Sequence, residues 1–422
     1  GLQLVAMPNQ GSQAKQILIA ILLVVLGGVL GYKIRGNENI PGLTPLLSRT
    51  GIVKVQNTEQ PTEFKDVDFG EFWDIWGILE ESYIDPEKVK PTEMVYGAIK
   101  GMTSSLEDPY TMFLPPDDQK RSEEDLSGAF YGVGSQLDYV DNVLAVGAPL
   151  KGSPAEQAGL KAKDLILHVK DNKIDKDTQG WSLAEAVGYI RGERGTKVTL
   201  TLLRRDEKPE PFEVTLTRDE IVVPSAELQY VDLPNGQKAA VITLSRFGER
   251  TESELNTAIA DIQRQSPKVA GIILDMRNNP GGFLDGAVDV ASEFIGDGVI
   301  VTQQGRNSSR DYIAKGNARL AQYPVEVVVN GGSASAAEIV AGALRDRKGA
   351  KLIGEKTFGK GTVQDALRLP SGAGLHVTIA KWILPNGDWI QETGIPVNVE
   401  VKDDDQTEID EVLERAKTEL VQ

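Results

Sequence analysis

Two side chains stand at a spacing that could break an acyl bond. Ser335 and Lys360 lie 25 residues apart within the stretch 327–364, VVVNGGSASAAEIVAGALRDRKGAKLIGEKTFGKGTVQ. A serine hydroxyl is a weak nucleophile until a base removes its proton. The stretch reads as a buried strand at 327–329, a turn of small residues, and a helix over about 335–346. Ser335 therefore stands at the mouth of a helix, where free N–H groups and the positive end of the dipole favour an oxyanion. Serine is also a favoured N-cap, which explains Ser333 or Ser335 equally well. Lys360 is a base only when neutral. Burial in apolar surroundings depresses a lysine pKa, and its neighbours Phe358, Gly359 and Gly361 carry no charge. A solvated loop lysine is the plain alternative. Acyl transfer also needs donors for an oxyanion. Asn279-Pro280-Gly281-Gly282 follows a buried strand at 269–274, the place where sites form in α/β sheets. The N–H groups of Gly281, Gly282 and Ala336 could supply the donors. A simple turn into the next helix fits the glycines as well.

Composition narrows the chemistry. A chain of 422 residues predicts two to four domains. The net charge is −17 and no basic block interrupts it, so nucleic acid is not an expected partner. Without cysteine there is no disulfide framework, thiol nucleophile or thiolate metal site. His168 and His376 are the whole histidine complement, so a zinc site of the usual multi-histidine kind is not expected. Neither histidine lies in a motif, which leaves Lys360 as the plausible base. Gly354-x4-Gly359-Lys360 imitates a phosphate-binding loop. That loop next requires Ser or Thr, and here Gly361 intervenes before Thr362.

The elements that must position these residues fall into segments. Residues 17–32 are an uncharged run of 16, bounded by Lys15 and by Lys33 and Arg35. A bilayer span takes about 20 apolar residues, and flanking lysines snorkel to extend a short one. The run suits a signal-peptide core or an uncleaved anchor; no clear A-x-A cleavage signal follows, so the preferred reading is a signal anchor over 1–35, holding an extracytoplasmic remainder at a cell membrane. Residues 36–62 read as a linker. Residues 63–123 read as a helical domain, with Phe69, Phe72, Trp76, Leu79 and Tyr83 recurring at three- and four-residue steps. Within it, 105–116 carries three prolines and reads as an ordered loop. This domain is expected to support the fold and not the chemistry. Residues 124–219 are rich in short strands. Residues 220–422 alternate strand and helix: a strand at 239–244, a helix opened by a Thr251/Glu254 capping box, a helix over 284–295, a hairpin at 364–383 and a last helix at 408–420. The fold class is multidomain α/β.

Phe130-Tyr131-Gly132-Val133-Gly134, then GSPAEQAGL at 152–160, then Asp164 before Leu165-Ile166-Leu167 resembles a circularly permuted PDZ domain. Such domains bind a terminal carboxylate on the N–H groups of a glycine loop, here Tyr131, Gly132, Val133 and Gly134, and add the peptide to a sheet edge. The glycines would also serve a bare turn. Together with GGSASAAEIVAGALRD, GEKTFGKGTVQ, DMRNNPGG, YIDP at 83–86 and LEDPYTMF at 106–113, the chain from about 64 to 420 resembles the C-terminal processing (tail-specific) serine peptidases. That resemblance implies a crotonase-like α/β core with an inserted PDZ domain. It implies Ser335 as nucleophile, Lys360 as base, Gln364 as the residue orienting the lysine, and Gly281, Gly282 and Ala336 as oxyanion donors. Asp346 matches an aspartate important in some members, and would equally suit an ion pair with Arg345 or Arg347. At 394–398 this chain reads GIPVN where members often read Gly-Ile-x-Pro-Asp. The implied activity is endoproteolysis of protein or peptide substrates bearing a free, apolar C-terminus, without a cofactor; a homo-oligomer is compatible. A PDZ-type scaffold with a silent hydrolase core is the main alternative. A crotonase-like acyl-CoA enzyme is a further one.

Overall fold

The computed structural model describes residues 67–422 except 206, 404–406 and 408. The expected anchor and linker lie outside the described residues. Among the described residues no helix is long and apolar enough to cross a membrane. The described chain forms two units, 67–98 and 99–422.

The first unit holds helix α1 (Gly70–Ser82) and most of α2 (Pro91–Ser104). The apolar periodicity does produce α1, with Phe72 packed edge-on against Trp73, ring centroids 5.0 Å apart.

In the second unit, the loop at 105–111 leads to β1 (Met112–Leu114) and α3 (Pro116–Ser127). The sequence reading ended the loop at Pro116, whereas that proline starts a helix. At the first helical position the missing N–H costs no bond, Asp117 and Asp118 suit the dipole, and Gly128 closes the helix at φ 71°.

The strand-rich segment forms β2 (Ala129–Gly132), β3 (Ser135–Val140), β4 (Val143–Pro149), α4 (Pro154–Gln157), β5 (Leu165–Lys170), β6 (Asp175–Asp177), α5 (Leu183–Ile190), β7 (Lys197–Arg204), β8 (Lys208–Thr217) and β9 (Asp219–Val222). Its sheet runs β3-β4-β5-β7-β8, with β6 on β5. β2 pairs with β9, so the chain enters and leaves through one ribbon. Val198, Leu200 and Leu202 alternate inward from β7 and meet Ile166, Val169, Ala186 and Ile190. Asp164 is buried and receives both Nε and Nη2 of Arg204, at 2.6 and 2.7 Å. β3 ends the sheet, and α5 packs beside it.

The remainder comprises β10 (Ala226–Asp232), β11 (Lys238–Leu244), α6 (Thr251–Arg264), β12 (Ile272–Asp275), α7 (Leu284–Ser292), β13 (Val299–Gly305), β14 (Ser309–Ile313), β15 (Val325–Val329), α8 (Ala336–Lys348), β16 (Leu352–Gly354), β17 (Thr362–Arg368), β18 (Gly374–Ile383), β19 (Val399–Glu400) and α9 (Glu411–Glu419). One sheet runs β10-β11-β12-β15-β16-β19, parallel from β11 onward. β12 and β15 are buried at every position, as parallel strands covered on both faces must be. Side chains of α6, α7 and α8 fill one face. Val412 and Ala416 of α9 cover the other, against Val241, Ile273, Val328 and Ile353. A second sheet, β1-β18-β13-β14 with β17 on β18, stands beside it. The Thr251/Glu254 capping box does not form. Glu254 instead accepts the N–H groups of Ser225 and Ala226, at 2.6 and 3.1 Å, and Thr251 serves the Gly248 N–H.

Candidate active site

Neighbouring parallel strands β12 and β15 release their chains at the same edge of the sheet. Two turns follow, 276–282 and 330–335, and they interlock. Ser333 Oγ donates to Met276 O at 2.8 Å, Ala334 N to Asn279 O at 2.9 Å, and Asn278 N to the Asn330 side chain at 2.9 Å. Ser333 is fully buried, which fits a residue that shapes the turn. Ser335 is half-buried at the start of α8, with φ 54° and ψ −116°. A non-glycine residue rarely adopts that backbone, and such conformations persist where surrounding structure imposes them.

Gly281 is pressed against this serine. A β-carbon on it would lie 2.8 Å from Ser335 Cβ and 3.0 Å from Ala336 N, and its φ is 101°. Gly282, at φ 139°, passes so close to Phe247 that a β-carbon would meet the Phe247 carbonyl oxygen at 2.1 Å. Of the three oxyanion donors expected from sequence, Gly281 N–H is engaged by Asn279 Oδ1 at 2.9 Å. Asn279 is itself fully buried and donates Nδ2 to Leu244 O at 2.8 Å. Ala336 stands at the first turn of α8, beside Ser335.

Lys360 follows β16 in a loop with Gly359 at φ 96°. Its ammonium lies 4.8 Å from the ring centre of Tyr110, a cation–π distance. Burial pushes the Lys360 amine below the ordinary lysine range, while Asp108 and Glu338 pull it back upward. Burial, with the nearby Lys360 charge, lowers His376 too. Gln364 makes no hydrogen bond to the lysine. Its amide nitrogen donates to Thr362 and Thr378 hydroxyls at 2.9 and 3.0 Å. Asp346 lies eleven residues along α8 from Ser335, about 16 Å at 1.5 Å per residue. It bonds Arg345 Nε at 2.7 Å and the Asn386 N–H at 3.2 Å, the structural ion pair that was one of its two sequence readings.

Three site residues escaped the sequence reading. Asp108 and Tyr110 come from the loop assigned to support, 250 positions before Lys360; nothing local signals their arrival. Asp108 accepts the Thr111 hydroxyl at 2.7 Å, and Thr111 in turn receives Thr378 N–H at 3.0 Å. Glu338 did carry a signal, the S-x-x-E spacing of a capping box, and its carboxylate reaches back to Ser335 N–H at 2.8 Å. The unusual 394–398 segment packs behind the lysine loop. Asn398 exchanges two 2.8 Å hydrogen bonds with Leu352 at the edge of β16. A cleft of about 960 Å³ opens alongside, with Phe283 and Gln364 among its walls.

In the PDZ-like segment, Gly132 closes β2 and Gly134 turns at φ 71°, where a β-carbon would strike Ser153 at 2.3 Å. Val133 is buried and Tyr131 is exposed. The loop carbonyls are tied back: Val133 O accepts from Ala155 N and Gly134 O from Leu150 N and Ser153 Oγ. β3 leaves this loop with its outer edge unpaired by any described strand.

A family model described as peptidase family S41 matches residues 238–401, a PDZ-domain model matches 146–204, and a model of the activating protease CtpB N-terminal domain matches 45–118. The chain is 34% identical over 391 residues to the carboxy-terminal processing protease CtpA of Bacillus subtilis, covering 92% of this chain and 78% of that one. It is 38% identical over 322 residues to the carboxyl-terminal-processing protease of Synechocystis, covering 76% and 74%. Among solved structures, one from Bacteroides fragilis assigned to the S41 proteases aligns with a TM-score of 0.51 at 18% identity, over 82% of this chain and 92% of that one, a likeness of fold.

Proposed function

The chain belongs to the carboxy-terminal processing proteases of peptidase family S41 and carries a PDZ domain; from that premise we propose a Ser–Lys endopeptidase that takes proteins by a free, apolar C-terminus. It is a serine-type peptidase. The observation that supports the finer reading is that one carboxylate oxygen of Glu338 accepts the backbone N–H groups of both Ser335 and Lys360, at 2.8 and 2.9 Å, with the Gly281 turn pressed against the serine.

In this reading Ser335 Oγ attacks the scissile carbonyl carbon while Lys360 Nζ accepts the hydroxyl proton. The C–N bond breaks as Lys360 returns that proton to the departing amine. Water, deprotonated by the same lysine, then hydrolyses the ester and restores Ser335. Ala336 N–H and the 281–282 turn face the developing oxyanion, where removal of one donor costs about 10²–10³-fold in kcat. For Gly281 to serve, its N–H has to be shared with, or released by, Asn279. Gln364 would orient the lysine after leaving its threonines. The PDZ loop would hold the substrate carboxylate, and the open edge of β3 would add the peptide as a strand. Val133 of that loop and Ile190 at the end of α5 belong to one apolar cluster, which supports an apolar last residue. The apolar run at 17–32 supports membrane anchoring with the catalytic part outside the cytosol; fractionation of cells expressing the chain with and without residues 1–62 tests that placement.

The decisive assay follows cleavage of peptides ending in apolar residues, free or amidated, by the full chain and by Ser335→Ala. Cleavage by the wild type and none by Ser335→Ala is expected. Turnover in Ser335→Ala rejects the nucleophile; equal turnover of free and amidated peptides rejects carboxylate capture.

A further inference from the structure

A buried carboxylate is costly unless donors satisfy it. Glu338 has no solvent-exposed surface. Its Oε1 accepts from Thr357 Oγ1 at 2.6 Å and Gly359 N at 2.7 Å. Its Oε2 accepts from Ser335 N at 2.8 Å and Lys360 N at 2.9 Å. Burial raises the Glu338 pKa above the ordinary carboxylate range and these four donors pull it back down; with two donors on each oxygen, a proton on the carboxyl would displace one of them. One side chain thus grips the backbone amides of both Ser335 and Lys360, on loops 25 residues apart. The grip extends further, because Thr357 Oγ1 accepts Ile395 N–H at 2.7 Å and Gly359 O accepts Glu392 N–H at 2.8 Å.

We propose that Glu338 is a positioning residue for peptide hydrolysis, an ionised clamp that fixes the Ser335 and Lys360 loops relative to each other. The proposal rests on the reading of those two residues as nucleophile and base. Electrostatics favour a geometric role over a chemical one. Negative charge beside Lys360 disfavours its neutral form, and negative charge at the mouth of α8 opposes an oxyanion. A carboxylate whose charge works against both steps contributes through the four bonds it makes. The other titratable groups facing this pocket are Asp108 and Tyr110 from the 105–111 loop, His376 on β18, and Glu392.

Glu338→Gln then has two separable effects. The amide turns an NH2 toward two of the four donors, so the clamp opens. It also removes a charge that keeps Lys360 protonated, so the acidic limb of the rate profile moves down in pH. The test is steady-state kinetics against pH on the full chain with a C-terminally free apolar peptide, comparing wild type, Glu338→Gln, Glu338→Asp, Thr357→Val and Ser335→Ala. Misplacement by about 1 Å costs on the order of 10²-fold. Glu338→Gln should therefore lose about 10–10²-fold in kcat with little change in KM, and its acidic limb should fall to lower pH. Glu338→Asp, one methylene short but still charged, should lose kcat with the limb in place. Wild-type kcat in Glu338→Gln, or a loss with an unmoved limb, overturns the proposal. Should Glu338→Gln fail to fold by thermal melting, Thr357→Val decides: it keeps the charge and deletes one donor, so a several-fold loss in kcat supports the clamp and wild-type kcat rejects it. Turnover in Ser335→Ala rejects the nucleophile itself. A dead Ser335→Ala beside a fully active Glu338→Gln rejects the clamp alone.

Discussion

Lys360 is held between influences of opposite sign. Burial destabilises its ammonium, and the Asp108 and Glu338 carboxylates stabilise it; burial wins, so its pKa is lowered from the ordinary value. A base acts in its neutral form, and a lowered pKa raises the neutral fraction at any given pH. The rate should therefore rise with pH through a limb below the usual lysine range. Asp108→Asn removes one of the two stabilising charges, so that limb should shift to still lower pH in a plot of kcat/KM against pH. An upward or absent shift would contradict the assignment of the limb to Lys360. Lys360→Ala should abolish turnover without changing the melting temperature by more than a few degrees. Ser335 and Lys360 were legible as candidates because the stretch that carries them is continuous in sequence. Asp108 and Tyr110 were not, since chain topology alone brings the 105–111 loop to β18 through Thr111 and Thr378. Glu338 lay between these cases: its spacing was readable as a helix cap, but its bonds to Gly359 and Lys360 depend on tertiary contact.

At the scale of elements, the turn after β12 is where the backbone meets the proposed site. Gly281→Ala would place a methyl 2.8 Å from Ser335 Cβ, on a φ of 101° that alanine avoids. The crowded atoms belong to the serine turn, so kcat should fall at least about 10²-fold, the worth of an oxyanion donor, while PDZ peptide affinity stays unchanged. A Gly281→Ala enzyme with wild-type kcat would remove this turn from the site. The same scale shows where local patterns mislead. Thr251 and Glu254 have capping-box spacing, yet Glu254 is drawn to the Ser225 and Ala226 amides ahead of β10, bonds of long sequence separation that outbid the local one. Pro116 looked like the end of a loop because a proline at a helix start and a proline in a turn share the same φ. In the PDZ domain, Asp164 was noticed for its place before a strand, while its partner Arg204, 40 residues on, was not. Removing one member of a buried pair costs about 3–5 kcal/mol. Arg204→Ala should unfold the PDZ domain at a lower temperature than the peptidase core, seen as an early transition in calorimetry; a single unshifted transition would refute it.

For the whole molecule, the alternation of strands and helices made an α/β core legible, but not which strands adjoin. That order matters, because the edge carrying the proposed site exists only once β12 lies beside β15. The C-terminal helix is tied to the same edge. Arg277, immediately beyond β12, bonds Asp275 and Asp410 at 2.6 and 2.7 Å and Asp403 at 3.0 Å. Those carboxylates hold the guanidinium charged, with its pKa raised. The next residues are Asn278 and Asn279, which organise the glycine turn. Cutting the chain after residue 401 would strip two of the three carboxylates from Arg277. It would also bare Val241, Ile273, Val328 and Ile353, on which Val412 and Ala416 pack. At about 25 cal/mol per Å² of apolar surface exposed, a face of this kind is worth several kcal/mol, a large part of a typical domain's stability. The truncated chain should lose peptidase activity and the high-temperature transition of its core. Its PDZ domain, which shares neither the face nor the ion pairs, should still bind a peptide with a free apolar C-terminus. Arg277→Met separates the two causes, since it keeps the covered face and deletes only the charge knot. Its kcat should fall while most of the melting temperature is retained. Full activity in Arg277→Met, measured beside a dead truncation, would confine the role of α9 to covering the sheet.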